Sequence, residues 1–231
     1  MSIIRRKGWE IPEREATPEA FFWDRRAVLG LLGSGAAGAL LPGSAAAAEE
    51  TPLAKLLPAR RNEAFKLDRA LTPEEINGNY NNFYEFGLSK SIADAAKALK
   101  TRPWRIKVDG LVEKPFEIDF DDLMGKVTLE ERLYRLRCVE AWSMTIPWTG
   151  FPLAQLVKLA NPTSAAKYVR METFLDRDVA VGQRRLFQYP WPYVEGLTMA
   201  EATNDLTFMV VGAYGKPLPN QHGAPIRLAV P

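Results

Sequence analysis

The sequence predicts an α+β domain built of mixed sheets and short helices. Three observations lead there. Several short segments alternate apolar and polar residues with period two. The helical stretches between them are brief. The two kinds do not follow the regular strand–helix–strand spacing of a parallel sheet. With 231 residues, 47% of them hydrophobic and six Trp, the chain can bury a substantial core.

At the N-terminus, Asp24-Arg25-Arg26 is followed by an uncharged run from Ala27 to Leu41, punctuated by Gly30, Gly33, Gly35 and Gly38. The run is shorter than the about 20 apolar residues that a membrane span needs. The small residues Ala45 to Ala48 precede Glu49. A charged region, an apolar region and a small-residue cut site in that order predict an export signal over residues 1–48. The paired arginines and the weak apolar run point to the twin-arginine route. Asp24 and Val28 stand where that pattern carries Ser or Thr and Phe, so the match is partial. The route exports folded proteins, which predicts a cofactor-bearing domain over residues 49–231, delivered to the periplasm.

The later elements follow in order. Thr72 as N-cap, Pro73 first in the helix and Glu75 third predict a short helix. Asn77-Gly78-Asn79 predicts a turn. Ser91 to Lys100 predicts a helix with Ile92, Ala95, Ala96 and Leu99 on one stripe. Trp104, Ile106 and Val108, then Phe116, Ile118 and Phe120, predict two half-buried strands joined past Asp109-Gly110. Asp121 to Gly125 fits one helical turn. Leu129 to Val139 predicts a strand with Tyr134, Leu136 and Cys138 on one face and Arg135 and Arg137 on the other. Pro152 to Ala160 predicts a helix ended by Asn161-Pro162. Tyr168 to Phe174 reads as a strand, Leu197 to Ala202 as a short helix and Leu206 to Val211 as a buried strand. Gly212 to Gly223 reads as a loop and Ile226 to Val230 as a last strand. A core-type strand running to Pro231 predicts that the natural chain continues.

Charge and composition exclude several functions. The 30 basic and 28 acidic residues nearly balance, and no basic run is interleaved with aromatics, which argues against nucleic acid. The single His excludes a multi-histidine metal site, including blue copper. The single Cys excludes an internal disulfide and a C-x-x-C-H haem.

Three clusters can carry chemistry. Cys138 is either a buried small hydrophobe or a thiolate that binds a soft metal. The residue types leave both open. The loop Gly215 to Arg227 combines Lys216, Asn220, His222 and Arg227 with Gly and Pro. Its backbone N–H groups and cations suit an anionic, phosphate-bearing ligand. Asn81, Asn82, Tyr84 and Glu85 offer amides and a carboxylate suited to the N–H and C=O groups of a heterocycle.

Four stretches carry a resemblance: Asn81-Asn82-Phe83-Tyr84-Glu85-Phe86-Gly87, Arg137-Cys138-Val139-Glu140-Ala141-Trp142-Ser143-Met144, Pro192-Tyr193-Val194-Glu195-Gly196-Leu197 and Gly223-Ala224-Pro225-Ile226-Arg227. From about Arg60 onward the chain resembles the catalytic subunits of periplasmic protein-methionine-sulfoxide reductases. These are Mo-molybdopterin enzymes with a sulfite-oxidase-like molybdopterin-binding domain. The resemblance implies Cys138 as the molybdenum ligand. It implies Asn81, Tyr84, Glu85, Thr173, His222 and Arg227 as cofactor contacts. It implies reduction of methionine sulfoxide in oxidised periplasmic proteins, with electrons from a membrane haem-binding subunit that draws on the quinone pool. The family continues past a strand like Ile226–Pro231 with a Trp/Lys/Gly-containing segment that is absent from this sequence. Two other readings stand beside it: an oxidoreductase of sulfite or another small oxoanion with the same fold, and a non-catalytic periplasmic binding module.

Overall fold

The computed structural model of the chain describes residues 51–231. The export signal expected over residues 1–48 lies outside them. Short helices α1 (Pro52–Lys55), α2 (Glu74–Asn79) and α3 (Ala93–Ala96) lead into strands β1 (Arg105–Val108) and β2 (Phe116–Asp119). Helix α4 (Phe120–Met124) follows. Then come the hairpin strands β3 (Glu130–Arg137) and β4 (Ser143–Pro152), and helix α5 (Leu153–Ala160). Strand β5 (Tyr168–Glu172), helix α6 (Val181–Arg185), strand β6 (Val194–Thr198) and helix α7 (Met199–Ala202) form the next group. Strands β7 (Phe208–Ala213) and β8 (Lys216–Pro217), a 3-10 turn (Asn220–His222) and β9 (Arg227–Ala229) complete it.

The main sheet has the order β3-β4-β7-β8, with β9 also paired to β7. Its ladders are antiparallel, and an isolated parallel bridge joins Arg61 to Glu131 at its edge. Two antiparallel ribbons, β1–β2 and β5–β6, flank it. The alternation of 104–108 and 116–120 is thus borne out as a hairpin pair. One core cluster gathers Phe120, Leu123, Phe151, Leu153 and Val211. A second gathers Tyr134, Ile146, Trp148, Phe208 and Val210. Burial of each such side chain contributes roughly 1.5–3 kcal/mol.

Strand β4, the longest element, is absent from the sequence reading. It contributes buried residues to both clusters, so it shows no alternation. Pro147, Gly150 and Pro152 punctuate it like a loop, and its register shifts between Thr149 and Gly150. Strand β6 was not anticipated either. Leu197 and Thr198, expected in a helix, belong to it, and α7 begins only after Thr198 and Glu201 close a capping box.

Four further expectations are corrected. Asn77 to Asn79 form the end of α2 rather than a turn. Thr72 does not cap that helix: its Oγ1 accepts from Thr145 N at 3.0 Å, and its N–H donates to Thr145 O at 2.9 Å, which extends the free edge of β4. Only Ala93–Ala96 of the expected 91–100 helix is α-helical, with Ile92, Ala96 and Leu99 buried and Ala95 exposed. The expected 212–223 loop contains β8 and the 3-10 turn.

Candidate functional site

Strand β3 carries Cys138 to the tip of a hairpin. Arg137 pairs with Ser143, so residues 138–142 make the connection. Cys138 N donates to Trp142 O at 2.9 Å and Ala141 N to Cys138 O at 3.1 Å, with Ala141 at φ 64°. These bonds fix a half-buried thiol just beyond the strand's end.

The 80–90 segment packs on this tip. Asn82 Nδ2 donates to Cys138 Sγ at 3.6 Å and to Glu140 Oε2 at 3.4 Å. Glu140 also accepts from Trp142 Nε1 at 3.0 Å and from Tyr84 OH at 3.5 Å, and it pairs with Lys90. The Lys90 hydrogen bond and the donors beside it lower the Glu140 pKa to about 2. Lys90 Nζ also donates to Asn82 Oδ1. Trp142 meets Tyr80 edge-on at 5.6 Å.

A second group lies around the 220–227 loop. His222 is buried, and its Nε2 lies 3.2 Å from Asn77 O, while its Nδ1 has no partner among the described residues. Burial pushes its pKa down to about 4, so it is neutral at pH 7. Gly223 takes φ 89°, the left-handed turn that ends the 3-10 segment and brings Arg227 back beneath it. Arg227 donates to His222 O and Leu228 O, each at 3.2 Å. Its guanidinium lies 5.5 Å from the Trp148 ring centroid, and burial lowers its pKa. Among the described residues no carboxylate forms an ion pair with it. Among the described residues Trp148 Nε1 is also without a partner.

Glu85 forms a third point. Its carboxylate is 6% exposed and accepts from Thr173 Oγ1 at 3.3 Å; burial raises its pKa. The start of α6 is bonded to the Glu85 backbone, with Gly182 N donating to Glu85 O at 2.7 Å. A Cβ at Gly182 would stand 2.0 Å from Tyr84 O, so only glycine permits that approach.

One stretch of chain links the three points. Residues 77 and 78, in α2, hold the 220–222 turn through Asn77 O and through Gly78 O, to which Gln221 Nε2 donates at 3.2 Å. Asn81 donates to Gly78 O at 3.1 Å and leaves its own buried Oδ1 without a partner. Asn82 and Tyr84 then reach the Cys138 tip, and Glu85 reaches Thr173. Every predicted site residue therefore lies on or against the 77–85 segment or the 220–227 loop it holds. Among the described residues no hydrogen bond joins Cys138 to His222 or Arg227 directly.

Residues 93–231 match the oxidoreductase molybdopterin binding domain family. The chain belongs to that family. Its cofactor is Mo-molybdopterin. The fold is similar to that in the crystal structure of the sulfane dehydrogenase SoxCD from Paracoccus pantotrophus, with a TM-score of 0.50 at 16% identity over 86% of this chain. The chain spans 52% of the SoxCD chain it matches. This is the sulfite-oxidase-like fold expected from the sequence.

The side chains fit a molybdopterin. A pterin needs hydrogen-bond partners, and Asn81 Oδ1, Asn77 Oδ1 and His222 Nδ1 are buried acceptors or donors that the protein leaves unused. A pterin phosphate needs cations, and Arg227 is a guanidinium that only carbonyl oxygens satisfy. Among the described residues no three His, Cys, Asp or Glu side chains group as an ion site. A metal at Cys138 would take its other ligands from the cofactor.

Sequence reasoning missed Lys90, Asn77, Trp148 and Gly182. Lys90 and Asn77 carried no signal, being ordinary polar residues until the fold closes. Glu140 stood inside the cysteine motif but had no assigned role. Trp148 lies in the second core cluster, where its ring meets His222 edge-on.

Proposed function

We propose that this oxidoreductase domain reduces methionine sulfoxide, with Cys138 as the protein's bond to the metal. The observation that carries the ligand assignment is the Cys138 thiol at a rigid hairpin tip, receiving an N–H from Asn82 on a domain whose family cofactor is Mo-molybdopterin. Asn81, Tyr84, Glu85, Thr173, His222 and Arg227 hold the pterin and its phosphate in this reading. For Asn81 and His222 the support is their unused buried polar atoms, and for Arg227 a guanidinium with no ion pair among the described residues; Tyr84, Glu85 and Thr173 rest on the sequence resemblance. When bound, Mo-molybdopterin supplies the two-electron chemistry that, with two protons, converts a sulfoxide S=O to a thioether and water.

The chain's own residues do the rest. Cys138 anchors. Arg227 balances phosphate charge beside neutral His222. Glu140 gathers Lys90, Asn82, Trp142 and Tyr84 about its carboxylate, and of these Asn82 reaches the sulfur. The methionine-sulfoxide assignment itself rests on the four motif stretches. The substrates are oxidised periplasmic proteins and the electron donor is a membrane haem-binding subunit. The Arg25-Arg26 signal supports export to the periplasm.

The test is direct. Full chain matured in cells that make molybdopterin should bind molybdenum and, with a reduced dye, turn over methionine sulfoxide. Cys138→Ser should abolish turnover while retaining the wild-type far-ultraviolet circular dichroism; retained turnover would remove Cys138 from the mechanism. Turnover of sulfite without turnover of sulfoxide would replace the reading by the small-oxoanion one. Absence of molybdenum in the wild type would leave a binding module.

A further inference from the structure

Lys90 lies outside the cofactor contacts named above, yet its side chain meets three residues near Cys138: Asn82, Glu140 and Tyr80. Its backbone carbonyl accepts from Asn81 N at 3.0 Å and from Asn81 Nδ2 at 3.4 Å. Its ammonium lies 5.4 Å from the centroid of the Tyr80 ring and donates to both Asn82 Oδ1 and Glu140 Oε2. Both ends of the residue are therefore tied to the segment that carries Asn81 and Asn82.

That arrangement has a chemical consequence. A side-chain amide can present either its oxygen or its nitrogen to a neighbour. A cation on Oδ1 accepts only the orientation in which oxygen faces the ammonium. Nδ2 then points the other way, onto Cys138 Sγ and Glu140 Oε2. The carboxylate of Glu140 accepts the second hydrogen of the same NH2 group, which reinforces the choice. Without the cation, Oδ1 loses its partner and the amide is free to turn.

We propose that Lys90 is a positioning residue: it locks the Asn82 amide so that an N–H is held on the Cys138 sulfur, and it thereby tunes the electron donation of that sulfur to the bound metal. An N–H···S bond withdraws electron density from a thiolate and raises the reduction potential of the metal it binds. The inference rests on the reading of Cys138 as the metal ligand only for its second half. The orientation of the amide is a property of the protein alone.

The experiment uses the full chain in two forms. In the cofactor-free chain, the Asn82 side-chain NH2 resonances of wild type, Lys90→Met and Lys90→Arg are compared. Lys90→Met is expected to shift and broaden them, and Lys90→Arg to restore them. In the metal-loaded chain, the midpoint potential of the metal is expected to fall in Lys90→Met at unchanged metal content, and to recover in Lys90→Arg. Removing a positive charge also lowers the potential by simple Coulomb attraction, so the deciding measurement is a double-mutant cycle. If Lys90 acts through Asn82, Lys90→Met adds little in an Asn82→Ala background. Full additivity, or unchanged Asn82 resonances in Lys90→Met, overturns the proposal. Should Lys90→Met fail to fold, Lys90→Gln serves in the same cycle. A wild-type chain without bound metal fails the Cys138 reading but leaves the resonance test standing.

Discussion

The two ends of the candidate site are built on opposite principles. At the Cys138 tip, an exposed carboxylate and ammonium meet, and Glu140 has four side-chain donors around it. At the 220–227 loop, a buried neutral histidine and a guanidinium sit against Trp148 with polar atoms left over. The first end is complete before any ligand arrives. The second is not, and a buried polar atom without a partner costs on the order of 1–3 kcal/mol. The difference teaches where binding energy comes from. The tip is pre-organised and adds geometry, whereas the loop carries an unmet demand that a ligand with hydrogen-bonding groups and negative charge would satisfy.

The comparison can be broken most severely at the segment that joins the two ends. Gly182→Ala forces a Cβ within 2.0 Å of Tyr84 O. It should destabilise the domain by about 3 kcal/mol or more and displace Tyr84 and Glu85 together, visible as a large drop in melting temperature and loss of bound molybdenum.

A smaller and pH-dependent effect comes from the loop. His222 binds its proton in the unfolded chain with a pKa near 6.5 but in the fold only near about 4. Between those values the unfolded state binds more protons, so stability rises with pH. It is fully present above 6.5 and falls as pH drops toward 4, by roughly 3 kcal/mol in all. Urea melts at stepped pH should show this slope, and His222→Asn should flatten it.

Arg227→Met separates apo from loaded protein. In the cofactor-free chain it removes an unpaired, partly buried cation, and the melting temperature should hold or rise. In the loaded chain it should weaken cofactor retention by about tenfold or more, the scale of one charge-assisted hydrogen bond. Equal losses in both forms would remove the phosphate role.

The smallest effect belongs to the tip. Glu140 is depressed to about 2; its contribution is therefore present above the ordinary carboxylate value and is lost only as pH falls through about 2. Above pH 5, where that contribution is present, Glu140→Gln should lower the melting temperature only slightly, because the pair is exposed to solvent, and the difference should shrink as pH falls toward about 2. A large loss there would show that the tip is not an independently settled network.

Much of this was legible in the residues. The period-two runs 104–108 and 116–120 gave the first ribbon, and 129–139 gave β3 with Cys138 at its end. The resemblance carried by the motif stretches implied the 81–85 segment, Thr173, His222 and Arg227, which the fold gathers along one path. What stayed hidden had physical reasons. Strand β4 is buried on both faces, so its pattern is continuous rather than alternating. Thr72 looked like a helix cap because its spacing fits one, but it finds a better use pairing with Thr145.

By itself the sequence determined the local periodicities, the single soft ligand candidate and the cations available to hold a phosphate, because those depend only on residue type and spacing. Only the tertiary structure decided that Lys90 and Glu140 stand beside Cys138 and that, among the described residues, Arg227 has no carboxylate paired with it. It also decided that His222 is neutral. Lys90 meets Glu140 across 50 positions, and His222 meets Asn77 across 145. Partners so far apart in the chain, and the burial that strips a proton from an imidazole, exist only once the sheet has closed.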